Sequence, residues 1–334
     1  MMMNHSLKNR CKVRPGTVIK GKWHLNQYTI LKELGYGANG IVYLAKYKNA
    51  QVALKMSDNG MSITSEVNVL KSFAKVQGSA LGPSLLDVDD WMSNQGQISF
   101  YIMEYIQGPD FLTFIGQRDK SWMPILVLQL LNDLNKLHEN GWVFGDLKPE
   151  NLIVTGPTPR IRCIDVGGTT LSGRAIKEFT EFYDRGYWGL GTRKADPAYD
   201  LFAVGMIIIN TFYPKRFNRS TGGITQLREA IRKEKDLIPF EKVIVKSLQG
   251  QYVNALQMRA DILSMTKVKN NTESVQTQVQ RTQKSVQKVV QQGTQPKTRQ
   301  GYRKKKKKSR WIETMVIATA IASFYILYIF QKLL

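Results

Sequence analysis

Apolar residues in the first third of the chain recur in short, partly alternating runs: Tyr28–Leu34, Ile41–Ala45, Val52–Met56 and Ile98–Tyr105. Runs of this length, rich in β-branched and aromatic residues, predict strands. Farther along, the apolar segments lengthen, and Trp122–Asn140, Pro197–Phe212 and Gly223–Lys233 predict helices. Strands first and helices afterwards imply an α+β body, with a mainly β lobe over 28–107 and a mainly α lobe over 108–265.

The pattern changes twice after residue 265. Residues 266–302 are rich in Gln, Thr, Lys and Val and poor in aromatics, the composition of a disordered linker. A second pattern runs through it: Val268, Thr272, Val275, Val279, Thr282, Val286 and Val289 fall alternately four and three apart. That is an a/d seam of about three heptads, and self-association through the linker therefore stands beside disorder as an alternative. From Met315 to Phe330 no charge or helix breaker occurs. At a rise of roughly 1.5 Å per residue this run covers about 24 Å. Ile312, Leu333 and Leu334 extend it toward the ~30 Å of a bilayer core, so 311–334 is expected to form one transmembrane helix. The basic run Arg303–Arg310 directly before it places that flank in the cytoplasm. The expectation is a single-pass protein of the cell membrane with its body in the cytoplasm. No signal-peptide pattern is seen after Met1.

Charge sharpens this picture. The net charge of +22 is unevenly spread: 1–27 carries six Lys/Arg and no acid, and 266–310 carries fourteen Lys/Arg against Glu273. A basic N-terminal segment and a basic linker on a nearly balanced body call for an acidic partner, either DNA along the linker or anionic membrane lipid. Two cysteines and three histidines exclude a disulfide framework and a zinc-type cluster.

The candidate chemistry lies in the body. Leu34-Gly35-Tyr36-Gly37-Ala38-Asn39-Gly40 is a glycine turn followed by a second strand, not by the helix of a dinucleotide-binding turn. Such a hairpin can lay its backbone close over phosphates. Lys55 ends an apolar strand fifteen residues after Gly40, and Glu66 is the glutamate available to hold it. Asp146, Asn151 and Asp165 lie within twenty residues, in Gly145-Asp146-Leu147-Lys148-Pro149-Glu150-Asn151 and Cys163-Ile164-Asp165-Val166-Gly167. Phosphoryl transfer needs a base near the acceptor hydroxyl and oxygen ligands for Mg²⁺, and this set supplies both.

Over residues 28–265 these motifs resemble the Hanks-type (eukaryotic-like) bacterial serine/threonine protein kinases. The resemblance implies a two-lobed protein kinase fold with ATP in the cleft. Leu34 and the loop Gly35, Gly37, Gly40 would cover the nucleotide. Val42 and Ala53 would lie above the adenine and Ile153 below, with Met103 as gatekeeper and Glu104–Ile106 as hinge. Lys55, paired with Glu66, would bind phosphates. Asp146 would be the catalytic base, Lys148 would steady the γ-phosphate, Asn151 and Asp165 would ligate Mg²⁺, and Asp200 would anchor the catalytic loop. The implied function is a membrane-tethered kinase of protein Ser/Thr hydroxyls, itself included, with regulation by DNA through the basic segments. A small-molecule kinase of the same superfamily and a non-catalytic membrane scaffold are the alternatives.

The chain departs from the family pattern in places. His-Arg-Asp is replaced by Phe144-Gly145-Asp146, which removes the cation that clamps a phosphorylated activation loop, so activity is expected without that phosphorylation. Asp-Phe-Gly is Asp165-Val166-Gly167. Ala-Pro-Glu has no counterpart before Asp200, and Arg259 is the nearest candidate for its arginine partner. Thr192 is the expected match for the threonine that touches the catalytic aspartate. Thr169, Thr170, Ser172 and Thr180 are the expected autophosphorylation sites.

Overall fold

The structure, a computed structural model, describes residues 10–37, 39–75, 81–220 and 222–265. The linker at 266–310 and the span expected at 311–334 lie outside the described residues. Among the described residues no helix is long and apolar enough to cross a membrane.

Six antiparallel strands form the N-terminal sheet: β1 (Val18–Lys20), β2 (Gln27–Gly37), β3 (Gly40–Tyr47), β4 (Ala50–Ser57), β5 (Leu85–Ser93) and β6 (Gly96–Glu104). Their spatial order is β1-β2-β3-β4-β6-β5. Strand alternation sends the side chains of β4 two ways. Val52, Leu54 and Met56 join Ile19, Tyr28, Tyr43 and Phe100 in a core on one face of the sheet. Ala53, with Tyr101 and Met103 of β6, packs on the other face with the first helix. Lys55 shares parity with Ala53, and so the strand register alone points its ammonium to the helix side.

That helix, α1 (Gly60–Lys75), starts at Asn59, whose Oδ1 accepts from Met61 N at 3.1 Å. It buries Ile63, Glu66, Val67 and Leu70, an i, i+3, i+4, i+7 stripe containing one acid.

Part of the stretch expected to be a basic N-terminal segment belongs to the folded body. Val18–Lys20 pairs with Gln27–Thr29, and Cys11 and Ile19 are buried. The described body therefore begins well before Tyr28, because a three-residue strand that ends in a lysine still carries one core side chain, Ile19.

The second part is helical: α2 (Phe111–Gln117), α3 (Trp122–Glu139), α4 (Pro197–Phe212), α5 (Ile224–Lys233), α6 (Glu241–Leu248) and a helix over 255–265. α4 is its central element, buried at every position from Tyr199 to Thr211. It starts sharply because the Asp196 side chain accepts from Tyr199 N and Pro197 occupies its first turn. Short strands β7 (Trp142–Val143), β8 (Leu152–Thr155), β9 (Arg160–Cys163) and β10 (Thr170–Leu171) pair as β8–β9 and β7–β10. They carry the polar segments between them to the boundary with the sheet.

Candidate active site

A cleft of about 260 Å³ opens between the sheet and the helical part. Leu34, Gly35, Gly37, Gly40, Val42 and Ala53 form its upper wall, and Met103, Glu104 and Ile106 line its inner end. Gly40 has φ +131° and a Cβ there would meet Met56 O at 2.2 Å, so the turn closes only on glycine. Beside Gly35 and Gly37 there is open space instead. Ile153 does not line the cleft, whereas Ile164 does. β8 sends Leu152 and Val154 into the helical core, and Ile153, on the opposite face, lies against Gly108 and Asp110.

Lys55 Nζ lies 2.5 Å from Glu66 Oε2 and 4.0 Å from Asp165 Oδ1. Both members of the first pair are buried. Tyr101 also donates to Glu66 Oε2, at 2.8 Å, and Ser62 to Oε1 at 3.4 Å. Burial pushes the Glu66 carboxyl above its usual value, against the opposing pull of Lys55. The ion pair fixes where the lysine head stands. It leaves the Asp165 carboxylate, half exposed, facing the same space.

Next to the cleft residue Asn151, Asp146 is held from several sides. Lys148 Nζ bonds Oδ2, and Thr180 Oγ1 donates to Oδ1 at 3.0 Å. Asn151 donates through Nδ2 to the Asp146 carbonyl at 2.9 Å, which orients its amide with the oxygen left for the cleft. Asp165 Oδ1 accepts from Gly167 N at 3.0 Å. Beneath the loop, Asp200 of α4 is fully buried and accepts from Phe144 N (2.8 Å), Gly145 N (2.9 Å) and His138 Nε2 (2.8 Å). Gly145 stands at φ +86°, and a side chain there would run into Gly168 O. The missing arginine is thus part of the path the loop takes.

Lys55, Asn151 and Asp165 line the cleft, Glu66 is bonded to Lys55, and Asp146, which carries Lys148, is bonded through its carbonyl to Asn151. The structure corrects two further readings. Thr180, not Thr192, touches Asp146; Thr192 offers its carbonyl to Arg185 Nε at 2.7 Å. Arg259 donates to the Leu128 carbonyl at 3.3 Å instead of meeting an activation-segment acid. A fully buried acid of the segment, Asp184, pairs instead with Arg193 at 2.6 Å and accepts from Tyr199 OH at 2.9 Å. Of the expected phosphate acceptors, Thr169 is buried and the Thr180 hydroxyl is committed to Asp146, whereas Ser172 is exposed.

Two contacts had no counterpart in the sequence reading. Arg162 of β9 forks onto Glu104, with its second nitrogen 2.9 Å from Oε2, and also reaches Gly82 O at 2.7 Å. This pairing holds the Glu104 carboxyl below its usual value. Asn39, in the glycine turn, donates to Glu178, which also lines the cleft. A lone Arg on an alternating strand and an acid in a loop give no signal in one sequence.

Comparison with known proteins agrees with this geometry. Residues 28–299 match the family described as protein kinase domain. The chain is 49% identical over 333 residues to the serine/threonine-protein kinase YabT of Bacillus subtilis, covering 98% of each. It is 30% identical over 157 residues to the serine/threonine-protein kinase ppk31 of Schizosaccharomyces pombe, covering 43% of this chain and 14% of that one. A probable cAMP-dependent protein kinase catalytic subunit of Encephalitozoon cuniculi is 26% identical over 196 residues, 50% of this chain and 58% of the relative.

Proposed function

Because the chain belongs to the protein kinase domain family and is an ATP-dependent serine/threonine kinase, we propose that Asp146 is the base of the transfer and that Lys55, Asn151 and Asp165 serve the nucleotide. The acceptor oxygen attacks the γ-phosphorus while its proton passes to Asp146. The bond from that phosphorus to the β,γ-bridging oxygen breaks, and ADP leaves with the electron pair. Lys148, bonded to Asp146, stands where charge on the γ-phosphate needs a cation. Lys55, steadied by Glu66, meets the inner phosphates.

Magnesium fits the remaining donors. Among the described residues no three His, Cys, Asp or Glu side chains group to hold a metal. A carboxylate and an amide oxygen are instead the sparse hard set that such an ion completes with phosphate and water. Held by Asn151 and Asp165, such an ion would offset negative charge on the transferring phosphate. The observation that carries this reading is Lys55 standing 2.5 Å from Glu66 and 4.0 Å from Asp165. Label from γ-labelled ATP should enter protein substrate with wild type and not with Asp165→Asn. Transfer by that variant at the wild-type rate would remove Asp165 from the site.

Two finer parts of the reading rest on the sequence outside the described residues, and a third on an exposed side chain within them. The apolar run Met315–Phe330 supports a membrane tether, with the catalytic body in the cytoplasm. The fourteen basic residues of 266–310 support electrostatic binding to DNA as a regulator, and to anionic lipid. Ser172 is the exposed candidate for autophosphorylation. Chain ending at 310 should leave the membrane fraction, and chain ending at 265 should lose salt-sensitive DNA binding. DNA binding that persists in the shorter chain would sink the linker's role.

A further inference from the structure

The face through which an acceptor hydroxyl reaches Asp146 carries an uneven charge. Between residues 172 and 216 the exposed cations are Arg174, Lys177, Arg193, Lys194, Lys215 and Arg216, and the exposed carboxylate is Glu181. The other acids of this stretch are buried or partly covered, and Glu178 is tied to Asn39 and Asp184 to Arg193.

The cations are placed by the fold on both sides of Asp146. On one side a short backbone ribbon joins the start of the segment to its end, with Ala195 N bonded to Arg174 O at 2.7 Å and Ile176 N to Arg193 O at 2.8 Å. It gathers Arg174, Lys177, Arg193 and Lys194. The Arg193 guanidinium lies 3.9 Å from the Phe179 ring centre, and the next residue, Thr180, is bonded to Asp146. On the other side, Arg216 is ion-paired with Glu150 and lies 4.8 Å from the Tyr183 ring centre. Glu150 is an exposed carboxylate of the catalytic loop, and this pairing neutralises it.

We infer that the enzyme selects serines and threonines set among acidic residues, with Lys215 on one side of Asp146 and Arg174, Lys177 and Lys194 on the other meeting the flanking carboxylates, while Arg193 and Arg216 cancel Asp184 and Glu150. The inference rests on Asp146 as the base, which fixes where the acceptor lies. A nucleic acid would meet the same positive field. The reaction, however, brings a protein segment to this place at every turnover, and so an acidic acceptor is the favoured occupant. Rim charges of this kind act on encounter and orientation, and they weaken as salt shortens the screening length to below about 10 Å.

The test uses the full-length chain and three peptides with one acceptor each, flanked by acidic, neutral or basic residues. The acidic peptide should exceed the neutral one about tenfold in kcat/KM at low salt, with the gap closing as salt rises. The triple variant Lys177→Glu, Lys194→Glu, Lys215→Glu should abolish that preference while leaving the KM for ATP unchanged. Arg216→Ala, which uncovers Glu150, should raise kcat/KM for the basic peptide. Equal use of the three peptides, or a preference that survives the triple variant, would overturn the inference. So would loss of duplex DNA binding in the triple variant with peptide selectivity unchanged, which would make the patch a nucleic-acid surface. Phosphorylation of the acidic peptide by Asp146→Asn would overturn the placement of the base instead, whatever the charge preference.

Discussion

Thr180 illustrates how much a single side chain decides at this site. Its hydroxyl bonds Asp146 at 3.0 Å and lies 3.3 Å from Lys148 Nζ, so it fixes the carboxylate that receives the proton. The family resemblance favoured Thr192, but Thr192 offers its carbonyl to Arg185 instead. Thr180→Ala should lower kcat about tenfold, the worth of one hydrogen bond felt in the transition state. Thr180→Ser should retain most of the rate, and Thr192→Ala should be close to wild type; steady-state kinetics decides. Lys55 and Glu66 were legible from the sequence because an apolar strand ending in lysine leaves one glutamate to answer it. Their pairing also carries a structural cost when broken. Lys55→Met leaves Glu66 buried beside Tyr101 with its ammonium partner gone, and should cost about 3 kcal/mol in denaturant unfolding. The same variant should lose phosphoryl transfer.

Among the elements, long strands and helices were readable, and short or acid-rich ones were not. β2, β3, β4 and β6 and helices α3, α4 and α5 fall where alternation and apolar runs place them. β5 escaped because Asp87, Asp89 and Asp90 interrupt it. Each of these acids is answered by the β1–β2 loop region: Asp87 by His24, Asn26 and Tyr28, Asp89 by two backbone amides, and Asp90 by Trp23. Burial raises the Asp87 carboxyl, but those bonds outweigh it and lower the group overall. Glu104 is lowered chiefly by Arg162. A carboxyl lowered in the folded state stabilises above its unfolded value and loses that contribution as pH falls through the folded one. Acid unfolding should therefore begin below the ordinary glutamate value of 4.5. Glu104→Gln should flatten this limb of the stability profile while leaving Asp87's share. Between elements, the Asn39–Glu178 contact holds a carboxylate in the cleft wall that also presents Asp165. Glu178→Gln should lower the KM for ATP about fivefold, since one like charge at close range in water is worth about 1 kcal/mol. An unchanged KM would show that Glu178 swings clear of the phosphates.

At the scale of the whole molecule, the order of patterns along the chain was enough to separate a β-rich part from a helical part. The family followed from five motifs in sequence order, because phosphoryl transfer constrains residue type more tightly than it constrains sequence between the motifs. What the sequence withheld was long-range partnership. Arg162 with Glu104, Asn39 with Glu178 and Arg216 with Glu150 join residues 58, 139 and 66 positions apart, and nothing local marks them. The account as a whole turns on Asp146 receiving the acceptor's proton inside a cleft that binds ATP by other groups. The most direct measurement is transfer of label from γ-labelled ATP to protein by Asp146→Asn, with nucleotide affinity measured on the same sample. Transfer should fall by about 10²–10⁴-fold with ATP affinity preserved; transfer at the wild-type rate would contradict the account.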